Sequence, residues 1–219
     1  MLRLLFEKKE NAIWISHLDL MRVFQRAFKR AGLPLKHSQG FNPRPSVSIA
    51  LPLSVGVDSS CELLDFELDG CQVPPAEIKQ KLNSCLVAGV RVLEVYEGGR
   101  RIRDLSLLSC KVALEYDSGI PDGAEEALQE LFSREEVIVP KKSKNGIQDQ
   151  NFIPMIRKLQ IVRAGERELS LIALICCQNP ALNPNQLIQA IHLHLPAIEP
   201  DFSKCSRLEI YDNSEVIFR

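Results

Sequence analysis

Residues 16–52, SHLDLMRVFQRAFKRAGLPLKHSQGFNPRPSVSIALP, contain the strongest fold signal in the chain. Ser16, three residues before Asp19, approximates a capping box and predicts the start of a helix. Gly32 and the proline two residues later are typical of a helix end, because glycine accepts a left-handed backbone and proline cannot continue the helix. The spacing therefore predicts a helix over residues 16–31, followed by a polar loop.

The predicted helix has two different faces. Apolar residues at helical spacing indicate a buried stripe, which comprises Leu18, Met21, Phe24, Phe28 and Ala31. Cations at i, i+4, i+7 and i+8 share the opposite face, and these are Arg22, Arg26, Lys29 and Arg30. Such a basic face is either ordinary solvated surface or part of a site for an anion.

The loop after the helix is rich in hydrogen-bond donors and has a restricted backbone. It reads KHSQGFNPRP over residues 36–45. Gly40 permits a positive φ, while Pro43 and Pro45 fix their own φ and push the preceding residues towards extended conformations. The side chains suited to phosphates, sugar hydroxyls or base edges are Lys36, His37, Ser38, Gln39, Asn42 and Arg44. Phe41 has two interpretations: it stacks on a base, or it fills the core as phenylalanine usually does.

The same region resembles the radical-SAM-linked family, a bacterial domain of unknown function that occurs alone or behind cobalamin-binding and radical SAM domains. The matching motifs are Ser16-His17-Leu18-Asp19, Arg30-Ala31-Gly32-Leu33-Pro34, Ser38-Gln39-Gly40-Phe41-Asn42-Pro43 and the run from Leu51-Pro52-Leu53 to Gly56. The resemblance is dense over residues 1–70. It implies a radical SAM enzyme as partner, with the iron–sulfur cluster and S-adenosylmethionine on that partner. It implies no mechanism for this chain.

Composition is that of an ordinary soluble globular protein, with 45% apolar and 25% charged residues in a chain of 219. No apolar run is long enough to cross a bilayer and no signal-peptide core is visible, so we expect a cytoplasmic protein with no membrane partner. Residues 1–50 hold nine Lys/Arg against three Asp/Glu, a charge of +6, and the remainder carries −7 within a net charge of −1. This polarity predicts an anionic ligand for the first fifty residues.

Seven cysteines, an odd number, favour a reducing compartment over a disulfide framework. The sequence contains no C-x-x-C pair, so a local zinc or iron–sulfur site is not expected. We therefore predict no metal and no cofactor in this chain, which excludes it as the radical SAM catalyst itself.

Periodicity along the chain predicts alternating strands and helices in two halves. In the first half, strands are expected at 2–8, 12–15, 46–53, 63–68 and 90–96, with helices over 16–31 and from Pro74-Pro75 to Gly89. In the second half, strands are expected at 107–116, 136–139, 159–163, 168–177 and 207–211, with helices over 122–133 and 183–195. Apart from one additional strand, each half follows the β-α-β-β-α-β order of ferredoxin-like proteins. We predict an α+β chain of two tandem ferredoxin-like halves with antiparallel sheets, residues 1–98 and 104–219.

For function, we expect an accessory domain that binds RNA or another anionic substrate for a radical SAM enzyme supplied in trans or upstream in a longer chain. The expected binding residues are Arg22, Arg26, Lys29, Arg30, Lys36, His37, Ser38, Gln39, Asn42 and Arg44. One alternative is a metal-independent endoribonuclease, or another RNA-acting enzyme, in which His17 or His37 accepts a proton beside stabilising cations. Another alternative is a protein–protein adaptor whose basic patch docks on an acidic surface.

Overall fold

The computed structural model describes residues 1–70, 72–143 and 146–219. One of the seven cysteines, Cys71, lies outside this part. The chain divides into two compact units: unit 1 comprises residues 1–104 and 218–219, and unit 2 comprises residues 105–217. Both units combine helices with strands, and the strand pairs within each unit are antiparallel. The predicted α+β class is therefore confirmed, and the strand pairing is mostly antiparallel.

Unit 1 is built around a central strand. Its elements in chain order are β1 (Leu2–Lys8), α1 (His17–Arg30), β2 (Val47–Ile49), β3 (Asp58–Phe66), α2 (Pro75–Asn83) and β4 (Val90–Glu97). β1 pairs with both β3 and β4, and the short β2 pairs with the far side of β3, which gives the order β4-β1-β3-β2. Because side chains alternate across a strand, Leu4 and Phe6 of β1 point to the same side of the sheet and enter one core.

Both helices of unit 1 pack into that core. Phe24 and Phe28 of α1 share the buried cluster with Ile78 and Leu82 of α2. Phe24 meets Phe6 edge to face, with ring centroids 4.8 Å apart, a geometry that aromatic pairs prefer. The buried side of α1 therefore faces the sheet, and the opposite side of the helix lies in solvent.

Unit 2 contains more strands than the sequence predicted. Its elements are β5 (Leu107–Glu115), α3 (Ala124–Ser133), β6 (Ile138–Ser143), β7 (Gly146–Asn151), β8 (Ile156–Arg163), β9 (Glu168–Cys176), α4 (Asn185–His194) and β10 (Phe202–Tyr211). Four of these strands form the order β10-β5-β9-β8, while β6 and β7 pair with each other. The helices contribute fully buried leucines, such as Leu128 of α3 and Leu187 of α4.

Local differences from the predicted elements have physical causes. The strand expected at 12–15 is a short 3-10 helix, Glu10–Trp14, held by buried Lys8, whose Nζ donates to the carbonyl oxygens of Ile13 and Ile15 at 3.1 and 2.8 Å. Strand β7 was missed because its exposed residues show no apolar alternation.

The second helix of unit 1 also ends earlier than predicted, at Asn83 rather than near Gly89. The Asn83 side chain accepts from the backbone N–H of Val92 at 2.8 Å and donates to the carbonyl oxygen of Val92 at 3.0 Å. These two bonds tie the end of α2 to β4.

The four α-helices of the described chain are 9 to 14 residues long, and among the described residues no helix has the length and apolar character needed to cross a membrane.

Candidate nucleic-acid interface

Helix α1 begins as its sequence predicts. The Ser16 Oγ accepts from the backbone N–H of Asp19 at 3.2 Å and donates to the Asp19 carboxylate at 2.7 Å. The hydrogen bond from Ser16, followed by that from Arg22, holds the pKa of Asp19 below its usual value. Ser16 and Asp19 therefore cap the N-terminus of the helix.

The buried stripe of α1 is displaced from the predicted one. Its buried members are Leu20, Phe24, Ala27 and Phe28, and Met21 and Ala31 are partly buried. The prediction was wrong for Leu18, which is 67% exposed. Leu18 and Leu20 are both apolar but lie about 200° apart around a helix, so contact with the sheet decides which of the two is buried.

The four cations of α1 all lie on its exposed side, as predicted, but they are not equally available. Arg22 forms an exposed ion pair with Asp19 at 2.7 Å, and Arg30 donates to the carbonyl oxygen of Cys85. In the described part of the chain, the side chains of Arg26 and Lys29 form neither an ion pair nor a hydrogen bond. Their charges are therefore available to an external anion.

The loop at residues 36–45 is a hairpin whose two arms are hydrogen-bonded to each other. The backbone N–H of Ser38 donates to the Arg44 carbonyl at 2.8 Å, and the Arg44 N–H donates back to the Ser38 Oγ at 3.0 Å. His37 and Pro45 form a β-bridge next to these bonds. Below the bridge, the Lys36 N–H donates to the carbonyl of Glu67 at 2.9 Å. These bonds fix the base of the loop, so residues 39–43 form a defined tip.

All the predicted binding side chains of this loop are exposed. Lys36 pairs with Glu67 at 2.8 Å, and that hydrogen bond raises the pKa of Lys36 and lowers the pKa of Glu67. Among the described residues, the Arg44 guanidinium has no ion pair. Phe41 is fully exposed at the loop tip, so the core-filling interpretation of this residue was wrong.

The two histidines named for catalysis differ in position and in exposure. His17 is the first residue of α1 and is partly buried, whereas His37 is exposed at the loop base. Within the described chain, neither imidazole forms an ion pair or a side-chain hydrogen bond, and no group of three or more His, Cys, Asp or Glu side chains is placed to hold a metal ion. The catalytic alternative stays a prediction.

Sequence reasoning missed a buried polar group in unit 1. Arg3 of β1 is 1% exposed and binds Asp65 of β3 through two hydrogen bonds of 2.6 and 3.0 Å. Burial opposes the charge of Arg3, but the hydrogen bond and charge of Asp65 raise its pKa above the ordinary value. A Cβ on Gly99 would lie 2.7 Å from the guanidinium and would displace it, and the φ of +111° at this position also disfavours other residues. The sequence does contain a signal for this pair, because a single charged residue interrupts each of two apolar segments: Arg3 in LRLLF (residues 2–6) and Asp65 in LLDF (residues 63–66).

The fold resembles a chain in the crystal structure of a Cbf5–Nop10–Gar1 complex, with a TM-score of 0.52 at 6% sequence identity. The match covers 95% of this chain and 48% of that chain, so the present chain spans about half the length of this neighbour. A crystal structure of an unknown protein from Galdieria sulphuraria matches with a TM-score of 0.27 at 12% identity, over 94% of this chain and 95% of that one. The first similarity concerns the fold alone. No curated protein matches the chain.

The sequence comparison with families covers most of the molecule. Residues 1–184 match a family described as an uncharacterized protein conserved in bacteria (DUF2344). The match includes α1, the loop at 36–45 and all of unit 1 up to residue 104. It confirms the bacterial family of unknown function, while the link to radical SAM enzymes stays a prediction. The chain belongs to the DUF2344 family of uncharacterised bacterial proteins.

Proposed function

We propose that this protein is an accessory binding domain that holds RNA through the basic face of α1 and the loop at residues 36–45. The observation that carries the proposal is the set of exposed cations without local partners in the described chain: Arg26, Lys29 and Arg44. Affinity for a polyanion comes from cations that replace counterions along the phosphate backbone. A cation already paired with a carboxylate, such as Lys36 with Glu67, contributes less because that pair must first separate.

The loop tip favours RNA over a simple anion. Gln39 and Asn42 are exposed in the same loop as Arg44 and His37. Amide side chains hydrogen-bond to base edges, whereas guanidinium groups mainly hold the phosphate backbone. A site for inorganic phosphate alone would have no use for amides and an aromatic ring at the same tip.

The proposal includes a partner, a radical SAM enzyme that supplies the chemistry. Support for this partner is the resemblance of residues 15–68 to the radical-SAM-linked family. The iron–sulfur cluster and S-adenosylmethionine would reside on the partner, and this chain would contribute substrate binding.

The fold proposal that accompanies this function is a tandem of two ferredoxin-like units. Support comes from the element order of unit 1 and its strand order β4-β1-β3-β2, which match the ferredoxin-like arrangement. Unit 2 has the equivalent order β10-β5-β9-β8, with the β6–β7 hairpin added between α3 and β8.

Salt-dependent binding of a labelled RNA tests the RNA proposal. Arg26→Ala/Lys29→Ala should weaken binding to all sequences and reduce the log–log salt slope by about 1.4, since each lost contact to single-stranded RNA removes about 0.7. The matched control is Lys158→Ala/Arg163→Ala in β8, which removes the same charge from exposed side chains paired with Glu215 and Glu125. Equal losses for the two variants, or no RNA binding by the wild type at low salt, would overturn the proposal.

A protein–protein adaptor is the second candidate, and exposed apolar side chains near the start of α1 offer it a docking surface in addition to the predicted basic patch. Trp14 and Leu18 flank the N-cap Ser16. Val55 adjoins Gly56, where an added Cβ would lie 3.4 Å from the Trp14 ring. Trp14→Ala/Leu18→Ala should abolish co-purification with a radical SAM enzyme if the adaptor is correct. Retained co-purification would contradict it.

A further inference from the structure

We infer that Phe41 is a stacking platform for an unpaired nucleobase, so that the RNA bound by this protein is single-stranded at the loop tip. The inference rests on the proposed RNA-binding function and specifies its ligand. Phe41 is fully exposed, although its side chain is among the most apolar in the chain. Such a ring contributes almost nothing to folding, because burial of apolar area is what stabilises a fold.

The backbone on both sides of Phe41 is restricted. Gly40 has a φ of +130°, a conformation that other residues rarely adopt, and Pro43 restricts the chain two residues after Phe41. The reciprocal bonds between Ser38 and Arg44 close the base of the loop. A backbone that is already restricted loses less conformational freedom on binding, which favours the use of Phe41 as a contact.

The surroundings of Phe41 match the base and the phosphate of a nucleotide. The ring offers a face for the base, since every base has a π-face. Gln39 and Asn42 offer amides for base edges, and Arg44 offers a cation for the phosphate. A duplex cannot use this tip in the same way, because its bases are already stacked and A-form RNA has a deep, narrow major groove.

Binding of three probes tests the inference: a labelled single-stranded oligoadenylate, a blunt-ended RNA duplex that consists only of a perfectly paired stem, and inorganic polyphosphate. Phe41→Ala should weaken oligoadenylate binding by roughly 5- to 150-fold, with little effect on the paired stem or polyphosphate. Phe41→Tyr should bind like the wild type, whereas Phe41→Leu, which is apolar but lacks a π-face, should lose affinity like Phe41→Ala. Phe202→Ala, another exposed phenylalanine in β10, is the matched control and should bind normally.

The results separate this inference from the proposed function. If Phe41→Ala binds oligoadenylate normally while Arg26→Ala/Lys29→Ala does not, stacking is wrong and RNA binding stands. If Phe41→Leu binds as well as Phe41→Tyr, the contact is apolar rather than π-stacking, and the inference is overturned. If the wild type binds none of the three probes, the proposed function fails as well. A Phe41→Ala variant that denatures in urea like the wild type would show that its loss of affinity does not come from unfolding.

Discussion

At the scale of single residues, burial decides how much an ion pair contributes to the stability of the fold. Asp65 lies against Arg3 inside unit 1, whereas Glu67, two residues later, pairs with Lys36 at the surface. Asp65→Asn leaves a buried guanidinium without its counter-charge, and we expect a loss of about 3–5 kcal/mol in the free energy of unfolding. Urea denaturation measures the loss. Glu67→Gln is the matched control and should cost less than about 1 kcal/mol because its pair is solvated. Similar losses for both would contradict this view.

Two buried thiols give a residue-scale prediction for alkaline pH. Burial raises the pKa of Cys110 and of Cys177 to about 12 from 9.0. A raised pKa means that the folded state retains a proton that the unfolded state has released. The resulting stabilisation is complete below pH 9 and is lost as the pH rises towards 12.

Urea denaturation near pH 9 and near pH 12 measures this contribution of the thiols. Cys110→Ala/Cys177→Ala should lose less stability over that interval than the wild type, because its alanines do not titrate. An equal loss in the two proteins would assign alkaline unfolding to other groups. Tyr96 and Tyr116, whose pKa values burial also raises, remain in both proteins.

At the scale of elements, α1 depends on its N-terminal cap as well as on its buried stripe. Ser16→Ala removes the acceptor of the Asp19 N–H and should reduce the free energy of unfolding by about 1 kcal/mol. Thermal or urea denaturation measures the effect. Ser16→Thr retains a hydroxyl at the same place and should preserve most of the stability. A Ser16→Thr variant as unstable as Ser16→Ala would show that the cap does not support the helix.

At the scale of the whole molecule, residues 218–219 return to unit 1. Phe218 is 0% exposed, with the Arg100 guanidinium 4.8 Å and that of Arg3 5.7 Å from its ring centroid. The carbonyl of Arg219 accepts from the backbone N–H of Arg100 at 3.0 Å. Phe218→Ala should therefore cost about 3–5 kcal/mol, as for other large-to-small core changes.

Phe202 provides the matched control, because it is 59% exposed in β10. Phe202→Ala makes the same chemical change and should alter the free energy of unfolding by no more than about 0.5 kcal/mol. Urea denaturation of the two variants compares them directly. Comparable losses would mean that Phe218 is not anchored as described.

Local features of the sequence were sufficient to predict α1, its loop and the alternation of strands and helices. The Ser16 cap, the glycine and proline after Arg30, and period-2 or period-3.6 apolar spacing act over a few residues, so they can be read without the rest of the chain. The exposed side of α1 follows from the same periodicity. The candidate cations could therefore be named from the sequence.

Only the tertiary structure decided which of those residues are buried, paired or available. The choice of Leu20 over Leu18 depends on contact with the sheet, and the availability of Arg26 depends on which carboxylates approach it. The Arg3–Asp65 pair joins residues 62 positions apart, and Phe218 reaches unit 1 from the other end of the chain. Phe41 is exposed because the loop closes beneath it. Each outcome depends on contacts between distant segments, and local spacing carries no information about which distant segments meet.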